Sequence, residues 1–253
     1  MTRTDFFEAL KDNCSTEKEY LIGLIKLRGF LLVEKDNRLY MSDNSHSDDP
    51  KYLDSLLRKY EIGSVNRNEI VIIDNPDATL FEGKFQENTS IPMEVVTMDT
   101  DWRWFKYRIH GEKAPVEVLE PFIARYVKAI SAACVLTVGC CDGNHRGGNK
   151  IYLQLSGCGS VIWHRLICEH FLKDKYDLQW MNDYTAISIT PDTKYNTYYQ
   201  LNTAAHEIYD NRMLLRRIKT KALEGMSNSY LKRMNENIEK EFVGNVIELF
   251  EKI

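Results

Sequence analysis

The chain has 253 residues, 43% of them hydrophobic and 28% charged, which suits one large or two small packed cores and excludes a disordered polymer. A net charge of -4 and a pI near 5.9 argue against a protein that coats nucleic acid regardless of sequence, while leaving room for a local basic face. The opening MTRTDFFEALKD has no apolar signal-peptide core, and the longest apolar run, AISAACVLTVGCC, falls far short of the roughly 20 residues of a membrane span. The expectation is a cytoplasmic chain with no membrane partner, whose six scattered cysteines are reduced thiols.

Residues 17–28 carry Tyr20, Leu21, Leu24 and Ile25 at helical spacing, with Ser15, Thr16 and Glu17 as cap candidates and Gly29 as a stop. FLLVEKD and RLYMSD, meeting at Asn37, form a tight hairpin in which Leu39 and Met41 share one face and Arg38, Tyr40 and Ser42 the other. Asp48-Asp49-Pro50 then starts a helix over PKYLDSLLRKY, and IGSV and EIVIID form a second strand pair turning at Asn66-Arg67-Asn68.

This αββαββ order returns after residue 114. VEVLEPFIARYVKAISAA predicts a helix, CVLTVGCC and NKIYLQLSG a hairpin, SVIWHRLICEHFLKDKY a helix, and LQWMN and YTAISIT a further strand pair. The long stretch NTYYQLNTAAHEIYDNRMLLRRIKTKAL follows as helix. Two copies of one unit are expected, over residues 1–74 and 115–224. Residues 75–114 form a connector in which TLFEGKF, MEVVTM and WRWFKYRI read as strands packed by Trp102, Trp104 and Phe105. Residues 225–253 form an amphipathic helical segment that packs on the second copy or on a protein partner.

The nine residues LIGLIKLRG, Leu21–Gly29, resemble the signature of the LAGLIDADG homing endonuclease family. That resemblance implies an α+β fold of two pseudo-two-fold-related αββαββα units packed through their signature helices. The sheets would form a saddle over double-stranded DNA, and an acid at the end of each signature helix would hold Mg²⁺ at a scissile phosphate. Here that acid is replaced by Arg28. A permanently cationic guanidinium repels a hard cation and suits a phosphate, or simply the negative end of a helix dipole.

Two registers are open for the second copy. In one, VLTVGCCDG is the signature and Asp142 is the metal-binding acid and catalytic residue. In the other, favoured because Val135, Leu136, Thr137 and Val138 suit a strand, YVKAISAAC is the signature helix and the acid's place falls on Ala133.

The loop GCCDGNHRGGNK matches no usual zinc spacing, with Cys140, Cys141, Asp142, His145 and Cys158 as the imaginable ligands, and lacks the setting of a nucleotide P-loop. It reads as a hairpin tip from which Arg146 and Lys150 meet phosphate. Strand alternation places Tyr152 and Gln154 opposite a core-facing Ile151, Leu153 and Leu155, as counterparts of Arg38 and Tyr40. With Arg28, Arg67 and the basic run Arg212, Arg216, Arg217 and Lys219, these are the expected DNA contacts.

Three classes follow. The leading one is a double-stranded DNA-binding protein, a pseudo-dimeric monomer with weakened or absent cleavage and no cofactor. The second is a nicking or active Mg²⁺-dependent endonuclease using Asp142. The third is a protein- or small-nucleotide-binding module that kept the fold.

Overall fold

Thr2 starts the first helix by a reciprocal cap. The Asp5 amide donates to Thr2 Oγ1 at 3.1 Å, and the Thr2 amide donates to the Asp5 carboxylate at 2.7 Å, launching α1 (Arg3–Lys11). A computed structural model of the chain describes residues 1–85, 102–107, 110–111, 113–143, 151–175, 180–182, 186–189, 194–226 and 236–252. α1 was not among the elements expected from the sequence. It buries Phe6 and Phe7 in an aromatic cluster with Phe85 and Phe122, which ties the N-terminus to the second half of the chain.

The predicted order then appears. α2 (Glu17–Leu27) is capped by Thr16, whose hydroxyl accepts from the Glu19 amide at 3.1 Å. β1 (Leu32–Lys35) and β2 (Arg38–Met41) form a hairpin whose turn residues Asp36 and Asn37 both have positive φ, as a two-residue primed turn requires. α3 (Asp49–Lys59) buries Leu53, Leu56 and Leu57, and β3 (Gly63–Asn66) and β4 (Glu69–Ile72) pair antiparallel across Arg67 and Asn68. The four strands form one antiparallel sheet in the order β1-β2-β4-β3.

Between the halves, the strand expectations fail where they can be checked. α4 (Thr79–Glu82) runs into a 3₁₀ turn at Gly83–Phe85, and α5 (Trp102–Tyr107) is a helix. Phe81 and Phe85 stand one helical turn apart and are both buried, a spacing a strand would send to opposite ends of its face. MEVVTM lies outside the described residues.

The second half repeats the order with α6 (Ala124–Ala132), β5 (Thr137–Cys141), β6 (Ile151–Leu155), α7 (Gly157–Leu166), β7 (Trp180–Asn182) and β8 (Ala186–Ile189). Its antiparallel sheet runs β5-β6-β8-β7, the same order as the first. α7 continues as a π-helical turn over Ile167–Leu172. The long C-terminal stretch is two helices, α8 (Lys194–Asp210) and α9 (Arg212–Leu223), broken at Asn211, where the single predicted helix does not hold. α10 (Glu236–Phe250) packs on α7 and α9, seating Phe242 against Trp163 and Phe105. The outcome is a mixed α+β chain with two small antiparallel sheets. No helix among the described residues is long and apolar enough to cross a membrane.

The endings of α2 and α6 coincide in detail. In α2 the Gly29 amide donates to Lys26 O at 3.0 Å and the Phe30 amide to Ile25 O at 3.3 Å, with Gly29 at φ +106°. In α6 the Cys134 amide donates to Ser131 O and the Val135 amide to Ile130 O, both at 3.0 Å, with Cys134 at φ +73°. Each is a Schellman ending, and each is followed three residues later by the first strand of its sheet. This equates Arg28 with Ala133, the favoured register, and puts Asp142 just beyond a strand.

The halves are joined through buried and partly buried polar contacts. Asp49, at the start of α3, accepts from Lys128 Nζ of α6 at 2.7 Å and from the Val116 amide at 2.8 Å. Arg28 Nη1 donates to Val116 O at 3.0 Å. Tyr209 of α8 donates to Ser42 Oγ at 2.6 Å, and Arg216 of α9 bridges Ala132 O (2.6 Å) and Asn44 Oδ1 (2.8 Å).

Candidate nucleic-acid interface

The two helix ends carry no carboxylate. Arg28 is only 1% exposed and points into the seam toward Val116, so it does not reach a phosphate outside the molecule. Its expected role as a DNA contact is therefore corrected: neighbouring chain folds over it, and the guanidinium serves the interior. At the equivalent position Ala133 has a methyl group, and its carbonyl accepts from Trp163 Nε1 at 2.7 Å. Neither end fits Mg²⁺, which requires oxygen ligands.

Asp142 is fully buried. Its amide donates to the Glu120 carboxylate and its carbonyl accepts from the Tyr198 hydroxyl at 2.5 Å, so its backbone is tied down on both sides. Burial, with Glu120 and Asp142 as negative neighbours, pushes the adjacent Cys140 thiol up to about 12, far from a reactive thiolate. Among the described residues no three His, Cys, Asp or Glu side chains come together as a metal-binding group. As catalytic and metal-binding residue Asp142 lacks an exposed carboxylate, and no group of three metal-binding side chains forms around it among the described residues. Arg146, Lys150 and His145 lie outside the described residues.

The strand faces are arranged as alternation predicts. Ile151, Leu153 and Leu155 are buried, and Tyr152 and Gln154 on the opposite face are half-buried. Gln154 pairs with Gly139 of β5, where a Cβ would stand 3.3 Å from its Oε1, so the absent side chain lets the amide lie across the strand. In the first sheet Arg38 is exposed and lies 3.4 Å from Glu69, which shares its face, while Tyr40 is half-buried beside Val33 and Glu69. β2 and β6 hold the same place in their sheets, and the two pairs of residues occupy matching faces. Ser42 departs from the pattern: it is buried and engaged by Tyr209. Arg67 is exposed at the β3–β4 turn with φ +59°.

The basic run on α9 divides by direction. Lys219 is 2% exposed with its ammonium 4.0 Å from the Phe105 ring centroid, a buried cation–π contact that takes it out of any phosphate patch. Arg212 stacks on Tyr209 at 4.2 Å and donates to Tyr209 O at 2.8 Å. Arg216 is committed to the seam, and Arg217 is exposed. A helix of this amphipathicity needs an apolar side. The uniform basic run hides that two of its cations lie over aromatic rings.

Sequence reasoning passed over Lys26 and Arg125. They sit on different helices 99 positions apart, and only the packing of α2 on α6 brings them near one another. No family model, curated protein or solved structure matches the chain.

Proposed function

We propose that the chain is a double-stranded DNA-binding protein built on a duplicated LAGLIDADG-type unit, without the metal-dependent cleavage of that family. The observation that carries this reading is the matched placement of Arg38 and Tyr40 on β2 and of Tyr152 and Gln154 on β6. Both strands occupy the second position of four-stranded sheets with identical order; Tyr152 and Gln154 lie opposite three buried residues, and Arg38 and Tyr40 opposite half-buried Leu39 and buried Met41. Arginine and glutamine there present fork and amide groups suited to guanine and adenine edges, and tyrosines supply packing and a hydroxyl. Arg67 and Arg217 add exposed cations for the backbone.

Loss of cleavage is supported at the helix ends, where a buried arginine and an alanine stand in place of metal-binding acids. The residues do not fit Mg²⁺, and no hydrolytic step is assigned.

The test is duplex binding by fluorescence anisotropy over a range of salt, together with a supercoiled-plasmid assay in Mg²⁺ and in Mn²⁺. The expected result is binding whose log affinity falls linearly with log salt, at about 0.9 per phosphate contact, with the plasmid left supercoiled. Gln154→Ala should change preference at particular bases, whereas Arg217→Ala should weaken all duplexes alike. Absence of duplex binding at low salt sinks the reading. Linear product, or nicking that disappears in Asp142→Asn, would instead return the chain to the nucleases.

A further inference from the structure

The junction between the end of α2 and the start of α6 collects basic side chains. A Cβ on Gly29 would stand 2.8 Å from Ala124 Cβ, so the two backbones are in close contact there. That approach brings together Lys26, three residues before Gly29, and Arg125, the residue after Ala124. α8 crosses the same place: Arg125 Nη1 donates to Asn202 Oδ1 at 2.5 Å, and one turn on, His206 Nδ1 lies 3.2 Å from the Asp210 carboxylate.

Neither permanent cation of the group, Lys26 or Arg125, is ion-paired to a carboxylate among the described residues. Among the described residues the Lys26 ammonium makes no hydrogen bond or ion pair, and Asn202 is the only acceptor Arg125 has. Asp210 is engaged by His206, and Glu207 by Lys175; Glu34 is the remaining acid that acts on Lys26. Burial, then the charge of Arg125, holds Lys26 below the usual lysine range, and burial lowers Arg125 to about 10. His206 is lowered by burial, with Arg125 and Lys26 pushing the same way against Asp210 and Glu207. Arg125 pushes both Lys26 and His206 down, and Lys26 pushes His206 down, so an anion seated among them would relieve that repulsion.

We propose that Lys26, Arg125 and His206 form a binding site for a phosphate group, with Asn202 orienting the guanidinium and Asp210 the imidazole. The guanidinium fork and the ammonium supply charge-assisted donors on one side and a point charge on the other. Lys26 also lines a groove of about 480 Å³ between α2 and the first sheet, where apolar Ile22, Leu32 and Ile70 alternate with the carboxylates Glu19, Glu34 and Glu69. That volume accepts a small organic body attached to the phosphate. The phosphate belongs either to such a small molecule or to a duplex backbone, and the site stands independently of the duplex reading.

The test is calorimetric titration of inorganic phosphate into the native chain and into Lys26→Gln, His206→Gln and, as control, the exposed Lys221→Gln. Lys26→Gln carries the argument, since the native ammonium makes no bond among the described residues whose loss would unfold the chain. Saturable binding, weakened about tenfold or more by Lys26→Gln, weakened also by His206→Gln, and unchanged by Lys221→Gln, is the expected result. No saturable binding to the native chain overturns the site, as does equal binding by the Lys26 and Lys221 variants. In the same assay, displacement of phosphate by a duplex assigns the group to a DNA backbone. Binding without displacement assigns it to a small phosphate. Either result upholds the site.

Discussion

Asp49 and Lys128 form an ion pair of 2.7 Å in which neither side chain is more than 2% exposed, although 79 positions separate them in the chain. Asp49 is also held by the Val116 and His46 amides at 2.8 and 2.9 Å, so its carboxylate is fully engaged. Lys128 has a second acceptor in Ala114 O at 2.6 Å. Taking both charges out of water is costly, and the pair is supported by backbone amides on both carboxylate oxygens and a backbone carbonyl on the ammonium.

Removing one partner therefore costs more than the pair contributes. Asp49→Ala should destabilise the chain by about 3–5 kcal/mol, because it leaves a buried ammonium uncompensated. The joint Asp49→Ala, Lys128→Met variant should recover a substantial part of that loss. Urea unfolding of the three proteins checks this, and additive losses would show that the pair is not coupled.

Gly29 is the second point where the halves meet. Its φ of +106° disfavours a side chain, and any Cβ there meets Ala124 at 2.8 Å. Gly29→Ala should cost roughly 2–4 kcal/mol from strain and overlap together. Adding Ala124→Gly should restore only the overlap part, and full rescue would show the backbone conformation to be unstrained.

Arg28→Asp restores the family's acid in sequence but not in space. The new carboxylate would face the Val116 carbonyl in the interior, so the expected outcome is a loss of roughly 3–5 kcal/mol and no gain of plasmid cleavage in Mg²⁺. Thermal melting alongside the plasmid assay checks both halves of this statement. A stable variant that cuts would place Arg28 at the surface.

Histidine burial sets an acid limit. His164, within 2.9 Å of the Tyr126 hydroxyl, is lowered by burial from 6.5 to about 3, and His110 is lowered mainly by burial to about 4. Both are neutral in the folded chain, whereas the unfolded chain binds their protons once the pH drops below about 6.5. Stability from these groups is complete above 6.5 and is lost as pH falls toward the folded values, by up to about 1.4 kcal/mol per pH unit for each. Urea midpoints between pH 7 and pH 4.5 should fall less steeply in His164→Gln than in the native chain. Parallel slopes would mean that His164 is accessible to protons.

What the residues determine alone is local and hydrogen-bonded. The Thr16 cap, the Asp36-Asn37 turn, the stop at Gly29 and the alternation Ile151-Leu153-Leu155 each depend on a few consecutive residues. The two runs αββαββ were legible because every step is set by such neighbours. α1 carried a readable signal too, the Thr2–Asp5 spacing of its cap, which went unused. The connector misled because aromatic residues suit strands and helix faces alike until burial chooses, as it does for Phe81 and Phe85.

Tertiary structure alone decided where the charges point. Arg28 caps a helix, and nothing at that position says whether solvent or the segment around Val116 will cover it. Lys219 and Arg217 differ by two positions in one basic run, yet one lies on Phe105 and the other is exposed. Lys26 and Arg125 meet through the contact of Gly29 with Ala124. Helical and strand periods specify which residues share a face, but the identity of the surface packed on that face arises from long-range contacts. Those contacts turned a predicted phosphate ligand inward and gathered an unpredicted basic cluster at the junction of three helices.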